Sequence, residues 1–386
     1  MVSDIIVLYL VFLAFFLGGD PVPGEQTVPP LGGGEQNATV SSSIPRDEAF
    51  FVRAWEIEGV TLFAEDEVRG LLNGLSGKEI SFAQVEEAVS VIERHYEENG
   101  FLARAVVPPQ DVSSGLVMVE VLEARLGEIR IEEGGSSLVS DDRILSMVGG
   151  GLGKGELYDA DSLNRGLLLA DDLSGVSLTG FLQEGSEPGL VDLNLKTLKE
   201  ARATAELAVD NANARALGSE RVVFSGTLVS PLSMAEVFSI KSLLSEGSFY
   251  RSFSASLPIG SEGFKLRVYL SKLSYDVISD EFRALDISGG VEEEGIELSY
   301  PVYRSSKANL YWSVQRDNRS YETKVVGSVV KDSRIKGFKT ELMGNLFDEF
   351  GGGGANSASL SFSRGDLGGF GVLPSMLGDY SIYNYS

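Results

Sequence analysis

The sequence predicts an α+β region followed by an all-β region, and three observations support this fold class. Two successive segments, residues 50–126 and 127–199, share one order of predicted elements, β-α-α-β-β. Helical periodicity stops near Ala201, and apolar and polar residues alternate from there on. The chain also has 45 glycines and no cysteine, a composition typical of a turn-rich β protein without disulfides or thiolate metal sites.

Residues 1–49 precede both repeats and lack the periodicity of a folded domain. Ile5 to Leu17 is an unbroken apolar run, shorter than the roughly 20 residues that a membrane-spanning helix needs. It is similar to the apolar core of a secretory signal, although no Lys or Arg precedes Arg46. We predict a signal-like segment over 1–19. The residues that follow are rich in Pro, Gly and Ser, and we predict a flexible linker over 20–49.

The first repeat carries local signals for its elements. Ser81 is a predicted helix N-cap, and Asn99-Gly100 closes that helix because Gly is favourable in a left-handed C-cap. Pro108-Pro109 ends the next strand, since proline cannot donate to a ladder. The predicted elements are a strand from Val52 to Val60, helices from Ala64 to Leu72 and after Ser81, and strands from Ala103 to Val107 and from Leu116 to Leu122.

The second repeat shares the order of these elements more than their residues. Ser186-Glu187-Pro188-Gly189 provides the turn of its closing hairpin. The predicted elements are a strand from Ile129 to Ile131, helices from Asp141 to Val148 and from Asp161 to Ala170, and strands from Val176 to Gln183 and from Leu190 to Leu195. We therefore expect two small α+β domains in tandem.

A run of motifs at the joint between the repeats resembles a known family. The motifs are Tyr96, Asn99-Gly100-Phe101, Pro108-Pro109-Gln110, Gly115, Val119-Glu120-Val121 and Gly127-Glu128-Ile129. Together they resemble the end of the first POTRA domain and the start of the second in TpsB-type transporters of two-partner secretion, the hemolysin secretion/activation proteins. The resemblance implies POTRA domains at 50–126 and 127–199, and an outer-membrane antiparallel β-barrel over 200–386.

The alternation after Ala201 fits membrane strands. In one segment, apolar Phe264, Leu266, Val268 and Leu270 alternate with Lys265, Arg267 and Ser271. Such segments are close to the roughly 10 residues that a tilted membrane strand needs. A soluble antiparallel sandwich alternates as well. Charged residues in mid-strand, and a shorter turn over 301–307 against a longer one over 210–220, favour the membrane barrel, as the POTRA context does.

The resemblance continues into the barrel region. Leu298-Ser299-Tyr300-Pro301, followed by Asn309-Leu310-Tyr311, resembles a barrel hairpin of the family, and residues 356–367 resemble a later strand. Only about nine or ten strands can be placed after Ala201, fewer than in the sixteen-stranded barrel of the family, and its Val-Arg-Gly-Tyr motif does not occur here. We therefore expect an incomplete transmembrane barrel: a fragment of a longer gene product, one piece of a split gene or a pseudogene product.

No residue pattern predicts an enzyme, a cofactor site or a metal site. Gly149 to Gly155 lacks the first Gly and the Ser/Thr of a phosphate loop, so we predict a turn. His95, the only histidine, is predicted on a solvated helix face. Glu292-Glu293-Glu294 is predicted to be a solvated loop, with calcium binding left open. The net charge of −24 argues against nucleic-acid binding, which needs a basic surface.

The resemblance implies a pore in the bacterial outer membrane, with its POTRA domains in the periplasm. Such a pore recognises and translocates an unfolded, hemolysin- or adhesin-like exoprotein. The implied partners are this TpsA-like client and outer-membrane lipid, with no nucleic acid and no nucleotide. Two alternatives stay open: an outer-membrane protein assembly factor of the same superfamily, and a truncated POTRA pair that acts as a periplasmic binding module.

An exposed sheet edge is where an extended client can add a strand through main-chain hydrogen bonds. We predict one such edge over 103–107 in the first repeat and another over 176–181 in the second. The predicted partner-binding residues are Ala103, Arg104, Ala105, Val106, Val107, Val176, Leu178 and Phe181.

Overall fold

A computed structural model of the chain describes residues 49–132, 137–348, 353–371 and 378–385. The predicted signal-like segment, and all but the last residue of the predicted linker, lie outside these ranges. No helix in the described ranges combines the length and the apolar character needed to cross a membrane.

The chain divides into two compact units. Among the described residues, one unit contains both repeats, as 49–172 together with 176–199, and the other contains 173–175 and the chain from 200 onward. The boundary at 126/127 lies inside the first unit, so it stays a prediction. We describe each unit by itself.

The first repeat builds a three-stranded sheet covered by two helices. In chain order its elements are β1 (Ala49–Val52), β2 (Ala54–Glu58), α1 (Glu65–Leu71), β3 (Lys78–Ser81), α2 (Phe82–Glu98), β4 (Ala103–Val106) and β5 (Leu116–Glu123). The sheet order is β2-β5-β4, with β2 parallel and β4 antiparallel to β5. This arrangement confirms the predicted β-α-α-β-β order.

Two details of the first repeat differ from the prediction. The single strand expected from Val52 to Val60 is divided at Arg53, whose N–H donates to the Gly115 carbonyl. β1, which ends at Val52 just before this break, pairs with β3, a strand that the sequence did not predict. β3 is only four residues long, which is too short for alternation to distinguish it from a loop.

The long helix α2 forms as its sequence predicts. Ser81 accepts a hydrogen bond from the Gln84 N–H, and the Gln84 side chain accepts one from the Ser81 N–H, which makes a capping box. The helix buries one apolar face against the sheet, including Val85, Ile92 and Tyr96. That face satisfies the 3.6-residue period from which the helix was predicted.

The Pro108-Pro109-Gln110 motif has a structural explanation. The two prolines follow the end of β4, where the chain can no longer donate to β5. Instead, the Gln110 side chain accepts from the Met118 N–H at 2.7 Å and donates to the Met118 carbonyl at 2.7 Å. An amide side chain therefore continues the ladder of β5 beyond the last residue of β4.

The second repeat builds the same kind of sheet. Its elements are β6 (Arg125–Ile131), α3 (Asp141–Val148), α4 (Ala160–Asp171), β7 (Leu178–Glu184) and β8 (Leu190–Thr197). The sheet order is β6-β8-β7, with β6 parallel and β7 antiparallel to β8. The predicted turn from Gly149 to Gly155 is confirmed as the connection between α3 and α4. A Cβ at Gly166 would lie 2.4 Å from the Val148 carbonyl oxygen, so the two helices need glycine there.

Backbone hydrogen bonds join the two repeats. The Ala160 N–H, at the start of α4, donates to the Gly100 carbonyl after α2 at 2.8 Å. The Tyr158 N–H donates to the Ala124 carbonyl at 2.9 Å, and Tyr158 itself is buried. The first of these bonds links a residue that follows a helix of one repeat to the first residue of a helix of the other.

The rest of the described chain forms a ten-stranded antiparallel sheet. Its strands are β9 (Ala203–Asp210), β10 (Arg221–Val229), β11 (Val237–Ser245), β12 (Ser248–Ile259), β13 (Phe264–Asp276), β14 (Ile287–Arg304), β15 (Ala308–Val325), β16 (Ser328–Asp348), β17 (Gly354–Phe370) and β18 (Gly378–Tyr385). Each strand pairs with its neighbours in sequence, so β9 and β18 are the edges of the described sheet. The predicted hairpin around Pro301 and Tyr311 is confirmed as β14–β15.

Two predictions about charged residues are wrong. Glu292-Glu293-Glu294 lies within β14 and not in a loop, and strand alternation places Glu293 on the face opposite to its two neighbours. The His95 side chain is only 20% exposed, with Nε2 3.3 Å from Glu67 and the ring packed against Phe63. It therefore belongs to the packing between α1 and α2 and does not lie on a solvated face.

Candidate functional site: sheet edges and sheet faces

The strand β4 is an edge of the first small sheet, as predicted. The Ala124 N–H donates to the Leu102 carbonyl, so Leu102 and every second residue after it form the hydrogen-bonded pairs between β4 and β5. Arg104 and Val106 therefore hydrogen-bond to β5, whereas the backbone groups of Ala103 and Ala105 point away from it. Only alternate residues of this edge are placed to receive another strand.

A carboxylate already occupies part of this edge. The outward N–H of Ala105 donates to Glu93 Oε1 of α2 at 3.0 Å. Val107, the last predicted partner-binding residue here, lies beyond the end of β4. The β4 edge is therefore short, and its central outward donor is satisfied inside the domain.

The strand β7 is the corresponding edge of the second small sheet. The Leu198 N–H donates to the Ser177 carbonyl, so Ser177 and every second residue after it bond to β8. The backbone groups of Leu178, Gly180 and Leu182 therefore point away from β8. The outward N–H of Leu178 donates to Asp171 Oδ1 at the end of α4, at 3.0 Å. Both edges thus carry the same feature, a carboxylate from the second helix on one outward N–H, which we call the edge cap.

The two edges differ in length beyond the edge cap. After Leu178, β7 continues to Glu184 and presents the outward backbone groups of Gly180 and Leu182. Within the described ranges, the N–H groups of Gly180 and Leu182 donate no hydrogen bond. The Phe181 side chain is 41% exposed. Val176, also a predicted partner-binding residue, is buried and lies before the start of β7.

The other edge of the second sheet is partly closed. The Leu126 N–H donates to the Glu156 carbonyl at 2.8 Å, and the Gly155 N–H donates to the Leu126 carbonyl at 2.7 Å. The segment before α4 thus pairs with the start of β6. Nearby, hydrogen bonds from Lys154 and Arg130 lower the pKa of Glu128 to about 2, so this carboxylate stays ionised in any neutral or mildly acidic compartment.

A buried carboxylate holds the first repeat together. Glu123, at the end of β5, accepts hydrogen bonds from the N–H groups of Thr61 and Leu62 at 2.7 and 2.9 Å, from the Thr61 hydroxyl and from the Tyr96 hydroxyl at 2.9 Å. Burial opposes its ionisation, but these hydrogen bonds outweigh burial and lower the pKa of Glu123. Burial, with the bond to Glu123, raises the pKa of Tyr96. This network explains the Tyr96 of the sequence motif.

The ten-stranded sheet has one apolar and one polar face. We define the apolar face by the cross-strand series Leu207, Phe224, Ile240, Phe253, Leu266, Leu298, Trp312, Leu342 and Leu360. We define the polar face by the series Glu206, Ser225, Lys241, Ser252, Ser271, Glu293 and Arg319.

Several side chains on these two faces show the reverse of the exposure expected in a soluble protein. Large side chains of the apolar face lie open, with Leu207 69% exposed and Leu360 57% exposed. On the polar face Glu293 is only 8% exposed and Asp317 only 7%. Soluble sheets bury their apolar face and solvate their polar face.

The polar face contains a connected group of charged residues. The Arg319 guanidinium lies 2.8 Å from Glu293 and 3.2 Å from Asp317. Tyr269 accepts a hydrogen bond from Gln315 at 2.7 Å. A Cβ at Gly295 would lie 2.3 Å from the Tyr269 ring, so glycine makes room for this aromatic residue on the polar face.

Sequence reasoning did not identify the edge-cap residues. Glu93 lies inside the helix predicted after Ser81, and Asp171 lies just beyond the predicted end of its helix at Ala170. Each is one of several acidic residues near a helix end, and no pattern separates it from the others. Within the described ranges, no group of three or more His, Asp or Glu residues is placed to hold a metal ion.

Comparison with known proteins supports the family resemblance. Residues 50–124 match the model of the POTRA domain, ShlB-type. The chain is 24% identical over 273 residues to the heme/hemopexin transporter protein HuxB of Haemophilus influenzae, which covers 70% of this chain and 48% of that protein. It is 21% identical over 285 residues to the outer membrane transporter CdiB of Dickeya dadantii, covering 70% and 49%.

A solved structure shows the same fold. CdiB from Escherichia coli superposes with a TM-score of 0.65 over 88% of this chain and 62% of that chain, at 18% identity. The chain spans about half the length of the curated relatives that it matches. These relatives carry the names of transporters, in agreement with the expectation that this chain is not an enzyme. The domain match over residues 50–124 and the similarity to HuxB and CdiB agree with the resemblance to TpsB-type transporters.

Proposed function

We propose that this chain forms the POTRA pair and part of the pore of a two-partner secretion transporter in the bacterial outer membrane. The observation that carries this proposal is the reversed exposure of the large sheet, with open leucines on the apolar face and buried carboxylates on the polar face. A sheet of this kind is stable where hydrocarbon covers its apolar face and water or a polar client fills the space on the other side. The POTRA repeats would then stand in the periplasm.

The partner is an unfolded secreted exoprotein that docks first on β7. An extended client can pair with the outward backbone groups of Gly180 and Leu182 by main-chain hydrogen bonds. The edge caps determine where pairing starts, because an N–H that already donates to Asp171 gains little from a second acceptor. On β4 the same effect leaves Ala103 as the outward residue with a free N–H, so the first repeat offers a weaker site.

The polar face then provides a hydrophilic wall for the translocating chain. Its serines and its ion pairs, such as Arg319 with Glu293, present hydrogen-bonding groups to the translocating chain. Such a wall binds no single sequence tightly, which suits a conduit for an extended polypeptide. Direction is supplied by folding of the client outside the cell, so no nucleotide is needed.

Residue-resolved hydrogen exchange on the full chain in detergent tests the docking strand. The probe is the secretion domain of the exoprotein encoded beside this gene. We expect added client to protect the amides of Gly180 and Leu182, which point outward. The amides of Thr179 and Phe181 already bond to β8 and are the internal controls. Unchanged exchange at Gly180 and Leu182 under saturating client would exclude β7 as the docking strand.

A further inference from the structure

A group of basic residues lies at one border of the apolar face. Arg316 on β15 and Arg364 on β17 stand on either side of Phe338 on β16, each directly opposite that ring in the register. Lys336 and Arg334 follow along β16 on the same face. We call Arg316, Arg334, Lys336 and Arg364 the basic patch.

The basic patch is compact. Adjacent strands lie about 4.8 Å apart and alternate residues on one face about 7 Å apart along a strand. Arg316 and Arg364 are thus two strand spacings apart, and Arg334 is two alternate positions beyond Phe338 on the strand between them. All four side chains are exposed, so a ligand about the size of one lipid headgroup reaches all of them.

Much of this positive charge is not compensated within the protein. Arg316, Arg334 and Lys336 form no ion pair with any residue of the described ranges. Asp366 stands opposite Lys336 in the register but makes no ion pair with it. Three basic residues without an ion pair in the described ranges are unexpected on a chain with a net charge of −24, because acidic residues are abundant enough to pair with them.

The patch adjoins an apolar surface. On the same three strands the apolar face continues from Phe338 to Leu342, Trp312 and Leu360, all of which are exposed. A ligand that covers both areas has acyl chains joined to an anionic head. A free anion would use only the patch, and a soluble protein would have to match a broad apolar surface on a membrane strand.

Chain connectivity gives the side of the membrane. β9 follows the second repeat and starts at Ala203, and the turns at 230–236, 260–263 and 305–307 lie at that same end of the sheet. The basic patch lies beyond the apolar face, toward the opposite end. With periplasmic POTRA repeats, as the proposed function requires, that opposite end faces the cell surface.

We infer that the basic patch binds the phosphates of a phosphorylated glycolipid of the outer leaflet, such as lipopolysaccharide. Guanidinium groups bind phosphate oxygens in a bidentate manner, and Phe338 between two of them packs against the first methylenes of the acyl chains. This inference rests on the proposed function, because it needs the sheet to be in the outer membrane. It concerns the lipid and not the client.

Lipid binding to the full chain in detergent micelles tests the inference. The probes are lipopolysaccharide and the same lipid after enzymatic removal of its phosphates, and native mass spectrometry or fluorescence titration gives the affinities. We expect the phosphorylated lipid to bind about tenfold tighter or more, since each basic residue near an anionic lipid surface adds a comparable favourable interaction. We expect the double variant Arg316→Gln/Lys336→Gln to lose most of this difference.

A matched variant on the other face is the control. Lys265→Gln/Arg267→Gln removes two positive charges from the polar face of β13 and should bind both lipids as the wild type does. Equal affinity of the wild type for both lipids, or equal losses in the two double variants, would overturn the inference. If spin labels at Leu266 and Lys265 report the same surroundings in lipid, the membrane location and the proposed function fail as well; a difference there without phosphate preference refutes the lipid site alone.

Discussion

The two repeats share a topology and an edge cap, but they differ in their internal hydrogen bonds and in the length of their free sheet edge. In the first, Glu123 ties the loop after β2 to α2 and β5, and the edge strand β4 has four residues. In the second, the edge strand β7 has seven residues and continues past its edge cap. One topology has therefore produced a closed, internally bonded domain and a domain with an available edge.

The difference indicates a division of work. Under the proposed function, backbone groups that are already bonded contribute little to a client, so we expect the second repeat to capture the exoprotein and the first to support it. The bonds from Ala160 to Gly100 and from Tyr158 to Ala124 connect the two repeats. The following changes should remove or sharpen this contrast, in order of decreasing effect.

Loss of the Glu123 carboxylate should have the largest effect. Glu123→Ala leaves the partly buried N–H groups of Thr61 and Leu62 and the buried Tyr96 hydroxyl without an acceptor, and we expect the first repeat to lose about 3 kcal/mol of unfolding free energy. Urea unfolding followed by the fluorescence of buried Trp55, in a Trp312→Phe background, measures it. Glu120→Ala, an exposed position on the same strand, is the control and should change stability by less than about 0.5 kcal/mol.

The same carboxylate should make the first repeat sensitive to acid. Its pKa is lowered in the folded state, so its stabilisation is complete above the unfolded pKa, near 4.5, and is lost as pH falls through the lower folded value. We expect the Trp55 transition to weaken below pH ~4.5 in the wild type. In Glu123→Gln this pH dependence should be smaller, and an identical profile would contradict the assigned role.

Proline on the two edges should separate their functions. Leu182→Pro removes an outward N–H of β7 and should weaken client binding by about tenfold, equivalent to one hydrogen bond. Val106→Pro instead removes a bond from β4 to β5 and should destabilise the first repeat. Calorimetric titration with the client domain and thermal unfolding of each variant distinguish the two outcomes. Client affinity that is unchanged in Leu182→Pro would refute the docking role of β7.

Removal of the edge caps should have the smallest effect. Glu93→Ala and Asp171→Ala free the N–H groups of Ala105 and Leu178, and we expect those amides to exchange severalfold faster, as the loss of one partly exposed hydrogen bond implies. Hydrogen exchange of the unbound chain measures this change. Glu97→Ala, one turn further along α2, is the control for the first cap and should leave the Ala105 amide unchanged.

The sequence was informative where short-range rules decide the structure. The N-cap at Ser81, the turn from Gly149 to Gly155 and the alternation around Leu266 each depend on neighbours within a few residues, and each was predicted correctly. His95 and the run at Glu292 were wrong because their surroundings come from other elements: Phe63 and Glu67 cover the first, and Lys272 on β13 pairs with the second.

The sequence by itself determined the order of the elements, the two repeats and the alternating faces, because these depend on periodicity and turn chemistry along the chain. Only the tertiary structure decided which backbone groups of each edge are free. The strand pairing turns the backbone groups of Gly180 and Leu182 outward, whereas a carboxylate from the preceding helix accepts from Leu178 on β7 and from Ala105 on β4. A hydrogen bond between a helix and the strand that follows it leaves no periodic pattern in the sequence, so the available edge and the basic patch could be seen only after folding had brought their parts together.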